Sequence, residues 1–153
     1  MKVTKEKIWT WYLPNEPKKI HHDAWKKSGG KWIVFDREDR ITALVEALRL
    51  YVDAGEIVGA KSWNGDPSAL NVYCLNRDGV KTKMILDRLG AGRSRVWQYD
   101  FAWHKNIRKP LDFAYSWSFK FMTILRSYGV PGTINLIREL LIPGKARRKH
   151  GGE

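Results

Sequence analysis

The chain has 153 residues, with 28 Lys and Arg against 16 Asp and Glu and a formal net charge of +12. That length suits one domain with one core, and 43% hydrophobic with 29% charged residues excludes wholesale disorder. No apolar run approaches the ~20 residues of a bilayer span. Cys74 is the single cysteine, so no internal disulfide can form.

In chain order, residues 1–28 read as a Trp-rich basic arm. Ile8, Trp9, Trp11, Tyr12 and Leu13 form an apolar patch stopped by Pro14 and Pro17, and residues 18–27 predict a helical turn or two around Trp25. Gly29-Gly30 then precedes a dense apolar run, residues 31–35, expected as the first core strand. Residues 37–54 predict a helix, because Ile41, Leu44, Val45, Leu48, Tyr51 and Val52 recur at three- and four-residue steps. Asp36 suits its cap, Glu38 and Asp39 its positive end, and Gly55 a left-handed exit.

Residues 56–63 alternate as a strand, and Asn64-Gly65-Asp66-Pro67 turns the chain. A third strand is expected at 70–76, with Leu70, Val72 and Cys74 on one face. Asp78 opens a second helix carrying Val80, Met84, Ile85 and Leu89, closed by Gly90, and a fourth strand is expected at 94–103. The order is β-α-β-β-α-β, which implies an α+β domain over residues 29–142: a curved antiparallel sheet with helices on one face. Phe113, Tyr115, Trp117, Phe119 and Phe121 alternate, predicting a strand that passes into a helix near Phe121. A short helix is expected at 133–141, and residues 143–153 as a flexible basic tail.

The charge and the eight Trp together suit polyanions that carry stackable rings. Arg95, Trp97, Tyr99, Phe101 and Trp103 share one face of the fourth strand. If helices cover the Val96 side, that face opens outward with Arg93 and Arg95 at its rim; otherwise it is core beneath the arm. Trp63 followed by Asp66 can stack on a purine while the acid reads its edge, with Lys61 near a phosphate, although the same tetrapeptide is good turn chemistry. His21-His22-Asp23 lacks zinc-like spacing, so no metal site is expected. His104, set among cations, is a candidate general acid. Phosphate-loop, dinucleotide, nucleophile-elbow and zinc-helix motifs are missing, and Cys74 lies mid-strand, a poor setting for a thiolate.

The succession Gly30-Lys31-Trp32-Ile33-Val34-Phe35, the helix ending in Gly55, Gly59-Ala60-Lys61-Ser62, Asn71-Val72-Tyr73-Cys74, Leu89-Gly90 and Tyr99-Asp100 resembles the basophilic-leukemia-expressed protein family. The resemblance covers about residues 20–103. It implies the fold of cap-binding translation initiation factor 4E, in which two Trp sandwich a methylated base, an acid reads it and cations grip the phosphates. Carried onto this sequence, Trp25 and Trp63 would be the stacking pair, with Lys61, Arg93 and Arg95 as the grip. No Trp here is followed directly by Glu, which points to a generic nucleotide rather than methyl-guanine. The family has also carried the label phosphothreonine lyase. An RNA-recognition motif shares the element order, but residues 70–76 lack its glycines.

The leading expectation is a non-catalytic, cytoplasmic module that binds a nucleotide or single-stranded RNA, without a cofactor or a membrane partner. The second is a lyase acting on phosphopeptides, with Lys61 as base, His104 as acid and Arg93, Arg95 and Arg108 as clamp. The third is an interaction module, its arm and tail docking on an acidic protein.

Overall fold

In the computed structural model, which describes residues 1–17, 19–66, 68–92 and 95–141, six strands form one antiparallel sheet. They are β1 (Lys2–Lys5), β2 (Trp9–Leu13), β3 (Gly29–Asp36), β4 (Gly59–Trp63), β5 (Ser68–Leu75) and β6 (Arg95–Tyr99), in spatial order β1-β2-β4-β5-β3-β6. Five helices accompany them among the described residues: α1 (His22–Ser28), α2 (Glu38–Asp53), α3 (Gly79–Arg88), α4 (Trp103–Ile107) and α5 (Pro110–Leu141). From β3 to β6 the chain runs strand, helix, strand, strand, helix, strand. The segment read as an arm supplies a hairpin at the sheet's edge, because Trp9, Thr10, Trp11 and Tyr12 alternate like a strand and pair with β4.

Alternation then divides the core. Val34, Ala60, Leu70 and Val72 point to one side, where they meet Ile41, Leu44, Val45, Leu48 and Val52 of α2 with Ile85 and Leu86 of α3. Ile33, Phe35, Ala69 and Val96 point to the other, against Phe119 of α5. Helices therefore cover both faces of the sheet, where the sequence suggested one. The residue before α2, Arg37, offers no side-chain cap, and Asp66 from the β4–β5 turn accepts from the Glu38 amide at 3.3 Å. Gly55 follows α2 at φ 67°, in the left-handed region that glycine adopts without strain.

Four local expectations change. Residues 113–121 are helical throughout, since α5 starts at Pro110. Helical spacing sets Ser116 and Phe119 inward, while the odd-numbered rings, being four apart as well as two apart, satisfy both patterns. The chain breaks at Gly129 (φ 63°, ψ −180°), a conformation confined to glycine, so the second helical stretch begins ahead of the one expected at 133–141. β6 ends at Tyr99, where Asn106 imitates a neighbouring strand: its side chain accepts from the Tyr99 amide and donates to the Tyr99 carbonyl, both at 2.9 Å. Phe101 and Trp103 are thus off the strand. On α3, Thr82, Ile85 and Leu86 face inward, whereas Val80 and Met84 are exposed. Arg93 and the basic tail at 143–153 lie outside the described residues.

At Gly30 backbone and ring approach closely. A Cβ there would stand 2.5 Å from Trp97 Cζ2 and 2.8 Å from the Gln98 carbonyl. Gly30→Ala is expected to cost about 1–3 kcal/mol by overpacking. The measurement is urea unfolding, where the midpoint should fall; an unchanged midpoint would contradict this contact.

Candidate functional site

Where α5 leaves the sheet uncovered, the same face carries a different set of residues. Register places Trp11 opposite Lys61, Gly59 opposite Tyr73, and Tyr73 opposite Lys31, so these side chains share one side. Trp25 of α1 reaches in from above: its indole donates to Asp100 Oδ2 at 3.2 Å, and its ring lies 6.2 Å from that of Tyr73. Trp11 stacks on the opposite flank of Tyr73, also at 6.2 Å, with 15° between the ring planes. Trp11, Trp25, Leu13, Gly59, Tyr73 and Asp100 thereby border an open cavity of about 410 Å³. Such a volume falls within the ~300–1,000 Å³ of small-molecule sites.

A cationic cluster adjoins it. Lys61 Nζ lies 4.4 Å from the Trp9 ring centre, 4.7 Å from that of Trp11 and 5.9 Å from that of Tyr73. Burial, and then the charge of Lys31, pushes the Lys61 ammonium below its ordinary range. Lys31 Nζ donates to Asp100 Oδ1 at 2.8 Å. Burial pushes the Asp100 carboxyl up, but the bond and charge of Lys31, joined by the Trp25 bond, outweigh it and hold the group low. Lys120 of α5 donates to Gln98 Oε1 at 2.9 Å, and burial together with Lys31 and Lys61 lowers its pKa to about 8. Three lysines thus influence one another around a single engaged carboxylate, which makes the neighbourhood electropositive.

Of the residues singled out in the sequence, Trp25 borders the cavity and Lys61 stands beside it. Trp63 does not join Trp25. It packs edge-on against Trp9 at 4.8 Å and Tyr128 at 6.1 Å, with its indole N–H buried. Asp66 is exposed and engaged at the start of α2. Arg95, Trp97 and Tyr99 lie on the opposite side of the sheet. There Arg95 pairs with Asp87 of α3, Trp97 packs against Trp32 at 5.6 Å, and the Tyr99 hydroxyl donates to Asn76 Oδ1 at 2.9 Å. The face expected to open outward is therefore the helix-covered one, because register pairs Arg95 with Val34 and Trp97 with Trp32. Trp103 is exposed on α4, edge-on to Phe113 at 5.1 Å.

The alternative catalytic set is dispersed. His104 and Arg108 are exposed at α4, Lys61 faces the cleft from β4, and Arg95 is beyond the sheet. Burial raises the Cys74 thiol to about 11, so it stays protonated. Among the described residues no group of three or more His, Cys, Asp or Glu could hold a metal ion. Sequence reasoning missed Trp11, Lys31, Tyr73, Asp100 and Lys120 as one group. The usable signal was the two-residue step from Trp9 to Trp11, which marks a strand with a one-sided aromatic face.

Lys120 provides a pH test. Above its ordinary value of 10.5 the group is neutral in both folded and unfolded chains. As pH falls from 10.5 towards 8, the unfolded chain gains a proton that the folded one refuses, so stability declines and then levels below 8. Lys120→Met removes this loss. Its stability relative to wild type, from urea unfolding at pH 7 and pH 10, should be higher at pH 7 by roughly 2 kcal/mol. An equal difference at both pH values would rule out the shift.

Comparison with protein-family models and with curated proteins finds no match.

Proposed function

We propose that the chain is a non-catalytic module that binds a nucleotide or a short single-stranded RNA in the Trp11–Trp25 cleft. The observation that carries this reading is two indoles bordering one open cavity floored by Tyr73, with Lys31 and Lys61 alongside. A planar base suits the aromatic walls, each stacked ring contributing about 1–3 kcal/mol, and the ammonium groups suit phosphate. Charge decides between ligand classes: a cage of rings also attracts cations, but Lys31, Lys61 and Lys120 outnumber Asp100 and Glu6, so an anion is favoured.

The resemblance to the basophilic-leukemia-expressed family, the initiation factor 4E fold and a cytoplasmic setting belong to the same proposal. Support comes from the layout, in which α2 and α3 back one face of an antiparallel sheet, and Trp11, Trp25 and Asp100 border a cavity on the other, beside α5. In this reading Trp11 takes the place first given to Trp63, and Asp100 that given to Asp66. The phosphopeptide lyase is disfavoured, since Arg95 of its proposed clamp and Lys61, its base, stand on opposite sides of the sheet.

Titration with labelled single-stranded RNA and with a nucleoside triphosphate, read by Trp fluorescence at two salt concentrations, tests the proposal. Binding should weaken with salt, by a log–log slope of about −0.7 per neutralised phosphate. Trp25→Ala should weaken it roughly 5- to 150-fold. Lys61→Ala should flatten the salt slope by about one contact. Absence of quenching by either ligand at both salt concentrations would end this reading.

A further inference from the structure

We propose that the outer face of α4 and α5 docks on an anionic phospholipid surface. Two features of this face lead there. The first is its apolar content. Leu111 (84% exposed), Trp117 (50%) and Phe121 (48%), with Tyr115 and Met122, occupy the outward arc of α5, while Ser116 and Phe119 face the sheet. The patch continues into α4 through touching rings: Trp103 meets Phe113 at 5.1 Å, and Phe113 meets Trp117 at 6.1 Å. Isolated exposed apolar residues are ordinary, but a contiguous helix face of this kind marks a surface that is covered in use.

The second feature is charge, and it selects the occupant. Across α4 and α5 the sequence holds six Lys or Arg and two acids, Asp112 and Glu139, and one of the six, Lys120, faces the sheet instead. Arg108 and Lys109, exposed where α4 meets α5, have no ion-pair partner among the described residues. A two-fold contact between copies would bring two such positively charged faces together, which repel. An anionic bilayer offers phosphates to the cations and an acyl boundary to Leu, Phe, Met and the flat rings, the arrangement of an interfacial helix. No helix among the described residues is long and apolar enough to cross a membrane, so the contact is peripheral.

Co-sedimentation with vesicles of phosphatidylcholine alone, or with one third phosphatidylserine, tests the assignment. The full chain should pellet with the mixed vesicles and much less with the neutral ones. The double variant Trp117→Glu, Phe121→Glu should lose about tenfold in partitioning, and Arg108→Glu with Lys109→Glu should abolish the preference for phosphatidylserine. Both changes are at exposed positions, and circular dichroism with an unchanged melting temperature verifies that each variant folds. The proposal is overturned if the chain pellets with neither vesicle, or if the variants pellet like wild type. It is equally overturned if light scattering shows a dimer that the Trp117 and Phe121 changes dissociate, since the face would then join two copies. Loss of RNA quenching on Leu111→Glu, at the most exposed apolar position of the patch, would assign the face to nucleic acid and overturn it too.

Discussion

The placement of one ammonium group depends on the register of β2 against β4. With Trp11 opposite Lys61 and Trp9 opposite Trp63, both indoles lie on the side where Lys61 projects. A slip of one residue would send both rings beneath the helices and bring Thr10 and Tyr12 into the cleft. That register is held from the reverse side, where the Tyr12 and Ser62 hydroxyls are 3.0 Å apart, and at the strand end, where Thr10 donates to Asn64 Oδ1 at 2.7 Å. Polar bonds on the reverse face and strand end thus fix where the aromatic groups fall on the other.

The cost of the arrangement is electrostatic. Partial burial disfavours the charged forms of Lys61 and Lys120, and their mutual repulsion adds to this. Ring faces return part of the cost, since a cation over an aromatic ring gains about 0.5–2 kcal/mol. Asp100 offsets more, but Lys31 and Trp25 already hold it. An anion entering the cluster would relieve all three lysines together, so a site that is strained when empty favours a charged guest.

Much of the scaffold was legible in the sequence. The face of α2 could be read almost residue by residue, because Ile41, Leu44, Val45, Leu48 and Val52 repeat at helical spacing and bury as they repeat. The turn at 64–66 and the glycine exits at Gly55 and Gly90 followed from backbone freedom. The site was harder to see, for a physical reason. Which face of a strand meets the helices is settled by pairing with distant strands, and no local pattern in residues 95–103 tells whether Trp97 or Val96 faces them. Pairing with β3 decides it through Trp32 and Val34. Residues 113–121 failed differently, because rings on every side of a helix blur the period that identifies it.

α1 is the weakest-held wall of the cleft. It spans seven residues and buries none of them. Its attachments include the Trp25 indole bond to Asp100 and the bond from Lys105 Nζ to the Lys27 carbonyl, and both are exposed. An element of that length is not self-supporting in water. Its local opening therefore requires far less free energy than disrupting β3 or β5, which are paired along both edges. Trp25 rides on this short helix, whereas Trp11 is built into the sheet: one jaw of the cleft is held by strand pairing, and the other by seven residues that run into β3 at Gly29.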